Sequence, residues 1–201
     1  MKTKLITLLL GIFALSSSVR AQNSLAIGSA LPKATIKMKD VSGKLVCLND
    51  AKESNGLLVM FSCNTCPYVI KNQLRTKAIC EYAESKDIGV IILNANEGNR
   101  TTDDSFASMK EYAREQNYKW FYAVDSNNDL ADAFGANRTP ECFLFDKNGK
   151  LVYHGAIDDS PSDETKVTRR HLEEAMNETL ANKPVTVKET RSVGCVIKRK
   201  G

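Results

Sequence analysis

The chain has 201 residues, with 28 Lys and Arg against 24 Asp and Glu, for a net charge of +4. Three of those positive charges, Lys2, Lys4 and Arg20, fall in the first 21 residues. The remainder is nearly neutral, which removes the electrostatic case for a nucleic-acid partner. The six cysteines and two histidines are spaced too irregularly for a disulfide framework or a four-ligand zinc centre.

Met1-Lys2-Thr3-Lys4 is a basic start, Leu5–Leu15 an apolar run of eleven residues, and Val19 and Ala21 are small residues ahead of Gln22. That layout predicts a secretory signal peptide cut near Ala21, because the run is too short to span a bilayer. No cysteine stands at the cut, which argues against a lipid anchor. The expected product is exported, periplasmic or secreted, with no membrane span in the mature chain. Residues 22–184 are expected to form one domain and 185–201 a C-terminal tail. Cysteines 47, 63, 66, 80, 142 and 195 all lie in the exported part, where disulfides can persist.

Residues 34–48 alternate loosely around Asp40-Val41-Ser42-Gly43, predicting an N-terminal β-hairpin. The runs 56–61 (GLLVMF) and 89–93 (GVIIL) are continuous and apolar, as in strands buried on both faces. Between them, Val69, Ile70, Leu74, Ala78, Ile79, Tyr82 and Ala83 follow helical spacing from Pro67 to about Lys86. A second helix is predicted over 102–117, a strand over 120–124, and a short helix over 127–134 that Gly135 closes. Asp146-Lys147-Asn148-Gly149 joins two apolar runs, 141–145 and 150–154, as a hairpin. Ser160-Pro161-Ser162-Asp163 carries cap chemistry for a last helix running to about Asn182. Buried strands alternating with helices predict an α/β fold with a mixed central sheet flanked by helices.

Residues 61–68 read F-S-C-N-T-C-P-Y, placing Cys63 just after a buried strand and Cys66 in the first turn of the next helix. Free N–H groups and the helix dipole stabilise a thiolate there. The expected roles are Cys63 as the attacking sulfur and Cys66 as the one that resolves the mixed disulfide. Position 67 is proline, so no haem-attachment motif is present. A copper site would need the pair plus the distant His154. Peroxiredoxin-type peroxidase chemistry asks for proline and threonine three and seven residues before the reactive cysteine. Those positions hold Cys63 and Val59, or Met60 and Gly56. Thiol–disulfide exchange is the favoured chemistry; a thiol peroxidase and a non-catalytic copper-binding module are the alternatives.

Thr139-Pro140 precedes a predicted strand and is a candidate cis bond. The stretches F-S-C-N-T-C-P-Y-V (61–69), T-P-E-C-F-L-F-D (139–146), Y-H-G-A-I-D-D (153–159) and V-G-C-V-I-K (193–198) resemble the exported redoxin-like, peroxiredoxin-like branch of the thioredoxin superfamily. The resemblance implies a thioredoxin-like fold and a cis Pro140 packed against the cysteines. It also implies that the Thr139 backbone pairs with the substrate chain as a short strand. The implied activity needs no bound organic cofactor and no metal. Its partners are protein or small-molecule disulfides or dithiols and an upstream redox donor. Ser62 stands where many thioredoxins have tryptophan, Thr65 where this branch often has histidine, and Leu57 at the place of the buried acid. Glu141, beside Pro140, is a candidate proton relay for Cys66 in place of that acid. Cys195 is a candidate third redox thiol. Cys80 is expected in the core, Cys142 in the core near the active centre, and Cys47 in the hairpin.

Overall fold

The computed structural model describes residues 24–200, so the leader expected at 1–21 lies outside the described residues. A small hairpin comes first, β1 (Met38–Lys39) against β2 (Leu45–Val46), followed by the short helix α1 (Leu48–Ala51). Then come β3 (Gly56–Ser62), α2 (Pro67–Glu84), β4 (Ile88–Asn94), α3 (Phe106–Glu115), β5 (Phe121–Val124) and α4 (Asp129–Phe134). The chain closes with β6 (Arg138–Thr139), β7 (Glu141–Asp146), β8 (Leu151–Gly155), α5 (His171–Leu180) and β9 (Cys195–Val196).

Five strands form the central sheet in the order β5-β4-β3-β7-β8. β3, β4 and β5 run parallel, while β7 and β8 are antiparallel. The sheet is therefore mixed. Every residue of β3 and β4 is buried, because helices cover both faces and leave no wet side to impose alternation. Leu58 and Met60 pack with Ile79, Ala83, Met109 and Met176 from α2, α3 and α5. Leu57, Val59 and Phe61 pack with Leu48, Leu130 and Phe134 from α1 and α4. Burying a side chain such as Phe61 contributes about 2 kcal/mol relative to exposure. Gly56 opens β3 at φ +137, and a Cβ there would lie 2.2 Å from the Phe145 carbonyl oxygen.

Two expectations need correction. Ile70 and Leu74 follow helical spacing, yet both are exposed on α2, while Asn72, Arg75 and Thr76 are buried. The reason is polar anchoring. Arg75 Nη1 bonds Asp158 Oδ2 at 2.5 Å and the Ser160 carbonyl at 3.0 Å, and Asn72 Nδ2 bonds the Pro161 carbonyl at 2.7 Å. That same loop explains the second difference: the last helix starts at His171, not near Ser160. Ser160 Oγ donates to the Asp163 carbonyl, and Asp163 caps only a single 3-10 turn, Glu164–Lys166. The cap chemistry is used locally, within a loop that α2 holds down.

Candidate active site

The topology brings the ends of β3, β4 and β6 together at the N-terminus of α2. Cys63 follows β3 directly. Cys66 is the N-cap of α2 with extended backbone and Pro67 behind it, rather than a member of the first turn. Pro67 costs no hydrogen bond at that position.

The turn between the cysteines is fixed by a carboxylate that sequence reasoning missed. Asp104 is fully buried; its Oδ1 accepts the Asn64 backbone N–H at 3.0 Å and Asn94 Nδ2 at 2.7 Å. Asp104 Oδ2 accepts Asn96 Nδ2 at 3.0 Å. Tyr122 then donates its hydroxyl to Asn64 Oδ1 at 2.7 Å, and Asn64 Nδ2 donates to the Asp103 carbonyl at 2.8 Å. The available signal was Asn94 and Asn96 at the carboxyl end of a buried parallel strand, where binding crevices form in open α/β sheets.

Thr139 meets both sulfurs. Its Oγ1 lies 3.4 Å from Cys63 Sγ, and its carbonyl oxygen accepts from the Cys66 thiol at 3.3 Å. The Thr139–Pro140 peptide is cis. The two cysteines share a small apolar cluster with Val69, flanked by Tyr68, Tyr112 and Cys195. Cys63 is 2% and Cys66 4% exposed, so neither faces open solvent. Part of the cover is the C-terminal segment: β9 pairs antiparallel with β6, placing Cys195 opposite Thr139.

The two thiols are coupled. Interaction with the Cys63 thiol is the main cause lowering Cys66; burial opposes it, and the Cys195 thiol and the backbone N–H groups of Val69 and Cys195 add to it. The same interaction, followed by burial, raises Cys63 above the ordinary thiol range, while the Thr139 hydroxyl works against the rise. The thiols therefore titrate as one pair, in which one sulfur ionises while the other keeps its proton. Burial and the hydrogen bond with Cys66 push Cys195 up to about 11.

Glu141 lies beside Phe61 in the β3–β7 register. Its Oε2 accepts the backbone N–H groups of Asn137 and Arg138 at 2.8 and 3.0 Å, and its Oε1 bonds His154 Nε2 at 2.9 Å. The carboxylate thus braces the turn that leads into Thr139 and Pro140. Cys80 and Cys142 are fully buried in the core beneath α2 and α5, and burial raises both thiols. Cys47 stands just past the hairpin as the N-cap of α1, in a capping box with Asp50. Among the described residues no group of three or more His, Cys, Asp or Glu is placed to hold a metal ion.

Residues 26–172 match the family model described as Redoxin. The chain belongs to the Redoxin family. Two solved structures share its redoxin architecture at a TM-score of 0.81 each. One is an uncharacterized conserved protein from Geobacillus kaustophilus, 32% identical, with 89% of this chain and 94% of that chain covered. The other is a hypothetical protein from Sinorhizobium meliloti 1021, 29% identical, covering 89% and 97%. Among curated proteins, this redoxin is similar to the thiol-disulfide oxidoreductase ResA of Bacillus thuringiensis subsp. konkukian, 24% identical over 131 residues. That match covers 65% of this chain and 70% of ResA. The chain is a mixed α/β redoxin, as its sequence motifs imply.

Proposed function

We propose that this redoxin is an exported thiol–disulfide oxidoreductase that works through the Cys63–Cys66 dithiol on protein or small-molecule disulfides. The observation that carries the reading is that Thr139 meets both sulfurs of the pair, its hydroxyl 3.4 Å from Cys63 Sγ and its carbonyl accepting the Cys66 thiol at 3.3 Å. A thiolate formed in such a pair is available for attack and is also a good leaving group. One relative with an assigned role, ResA, is named as an enzyme of the same chemistry.

In the proposed cycle the Cys63 sulfur, steadied by the Thr139 hydroxyl, attacks a substrate sulfur and forms a mixed disulfide. Cys66 then attacks Cys63, releasing the substrate as a thiol and closing the Cys63–Cys66 disulfide. An upstream dithiol donor restores the pair. Thr139 and the cis Pro140 form the edge that the resemblance assigns to the substrate backbone, an edge that β9 pairs with in this structure. Glu141, expected from sequence to relay a proton to Cys66, is better read as a positioning residue, since its hydrogen bonds run to Asn137, Arg138 and His154. The copper reading lacks a ligand cluster: among the described residues no group of three or more His, Cys, Asp or Glu is placed to hold a metal ion.

Export rests on the leader-like residues 1–21. Among the described residues no helix is long and apolar enough to cross a membrane.

The test is reduction of insulin by the mature protein with dithiothreitol as donor. Cys63→Ser and Cys66→Ser should each abolish turnover, and Cys66→Ser should accumulate a mixed disulfide on Cys63. Undiminished turnover in either variant overturns the reading.

A further inference from the structure

The segment after α5 returns to the sheet. The His154 backbone N–H donates to the Lys188 carbonyl at 2.9 Å, and Thr190 donates to the His154 carbonyl at 3.0 Å. Beyond β9, Ile197 is buried and its N–H bonds the Asn137 carbonyl at 3.0 Å. Lys198 then donates its N–H to Asn96 Oδ1 at 2.8 Å and accepts from the Gly98 N–H at 2.7 Å. At position 194 the packing leaves no room for a side chain: a Cβ on Gly194 would lie 2.0 Å from the Thr139 carbonyl oxygen.

What this segment covers is the edge of β6, the edge expected to receive a substrate strand. A substrate cysteine paired there would lie over the dithiol, and Cys195 occupies that place. It packs against the cluster of Cys63, Cys66 and Val69, opposite Thr139, whose carbonyl accepts the Cys66 thiol. It is also partly exposed, whereas the other two cysteines are buried.

We propose that Cys195 is a third exchange sulfur, presented to Cys66 by the strand that the C-terminal segment forms on Thr139, and that a Cys66–Cys195 disulfide links the buried pair to the donor. The step rests on the dithiol reading of Cys63 and Cys66. In the oxidised protein the Cys195 sulfur attacks Cys66 Sγ. The Cys66–Cys195 bond forms as the Cys63–Cys66 bond breaks, and Cys63 leaves with the electron pair and takes up the proton that Cys195 gives up. No net oxidation occurs. A donor dithiol then attacks the sulfur of the partly exposed Cys195 and expels Cys66 as thiolate, the better leaving group of the two. The second donor sulfur attacks the first and frees Cys195 as a thiol, so the donor departs as a disulfide and two electrons have entered the protein. The tail thereby offers the donor a sulfur more exposed than either member of the pair.

The experiment uses mature Cys63→Ser protein and about 1 mM glutathione disulfide, a competitor near the effective concentration of a tethered group. Cys66 takes one glutathione, and Cys195 displaces it. After acid quenching, alkylation and trypsin, the Cys66 peptide (53–71) and the Cys195 peptide (192–198) should be recovered joined as the major species. Gly194→Ala added to that variant retains Cys66 and Cys195 but clashes with Thr139, and should lower the joined species about tenfold, the loss expected when proximity is removed. Joining unchanged by Gly194→Ala overturns the strand-presented geometry. Recovery of Cys66 as its glutathione adduct with Cys195 alkylated overturns the proposal entirely. Wild-type turnover of insulin with dithiothreitol reports on the dithiol independently, so turnover without joined peptides sinks only the relay.

Discussion

Asp104 holds Asn64 by its backbone: a carboxylate with no exposure to solvent accepts the N–H of the first of the two residues between the cysteines, at 3.0 Å. The rest of the carboxylate is satisfied by the amides of Asn94 and Asn96. One side chain therefore ties the end of β4 to the turn that sets the distance between Cys63 and Cys66.

Asp104→Ala leaves three buried donors without that acceptor. Each unsatisfied group costs about 1–3 kcal/mol, so a loss of roughly 3 kcal/mol or more is expected in urea unfolding of the reduced protein. Asp104→Asn keeps the shape and one oxygen and should cost less. Equal stability of Asp104→Ala and wild type would show that the turn is held by other contacts.

How far this arrangement was legible varies with the range of the interaction. The strands at 56–62 and 88–94, the hairpin turn at Asn148-Gly149 and the helix after Pro67 each announce themselves within a few residues. Cys63, Cys66 and Thr139-Pro140 were readable because their spacing is local or belongs to a known pattern. Asp104 was not, since it reaches Asn64 only when β4 and the loop before α3 are folded side by side. How the two sulfurs share one proton depends on a contact that spacing alone does not fix. The place of Cys195 depends on the path of residues 181–194, which carry little periodicity. The start of α5 was misread for the opposite reason: Ser160 and Asp163 carry strong local cap signals, and the Arg75–Asp158 pair decides where the chain goes instead.

Cys66 should lose its acidity when Cys63 is removed. The bond from Cys63 is the largest cause of the lowering to about 4. The reactive thiolate is present above that value and is lost as pH falls through it. Iodoacetamide labelling of Cys66, followed on peptide 53–71, should therefore stay near its plateau at pH 5 in wild type. In Cys63→Ala the midpoint should move upward, and labelling at pH 5 should fall about tenfold for each unit by which the midpoint exceeds 5. An unchanged midpoint would place the stabilisation elsewhere, in the N–H groups of Val69 and Cys195.

Thr139→Val tests the hydroxyl alone, because the carbonyl that faces Cys66 belongs to the backbone and remains. The hydroxyl opposes the rise of Cys63, so its loss should leave Cys63 harder to ionise and slow its attack on the substrate. One hydrogen bond of about 1 kcal/mol corresponds to roughly a fivefold drop in kcat. KM should stay unchanged and no mixed disulfide should accumulate. A higher KM with kcat intact would assign Thr139 to substrate binding instead.

Arg75 and Asp158 form an ion pair at 2.5 Å with side chains only 8% and 3% exposed. Arg75 also bonds the carbonyl of Ser160, so the pair fastens the 158–163 loop to α2 behind the cysteines. Arg75→Ala strands the Asp158 charge in the interior, and breaking such a pair from one side costs about 3–5 kcal/mol. Arg75→Met with Asp158→Leu removes both charges and fills the space. It should recover much of that loss, because desolvation of the native pair offsets most of its attraction. The double-mutant cycle in urea measures the coupling. If the double variant is as unstable as Arg75→Ala, the bonds to the loop carbonyls, rather than the charge pair, hold the loop.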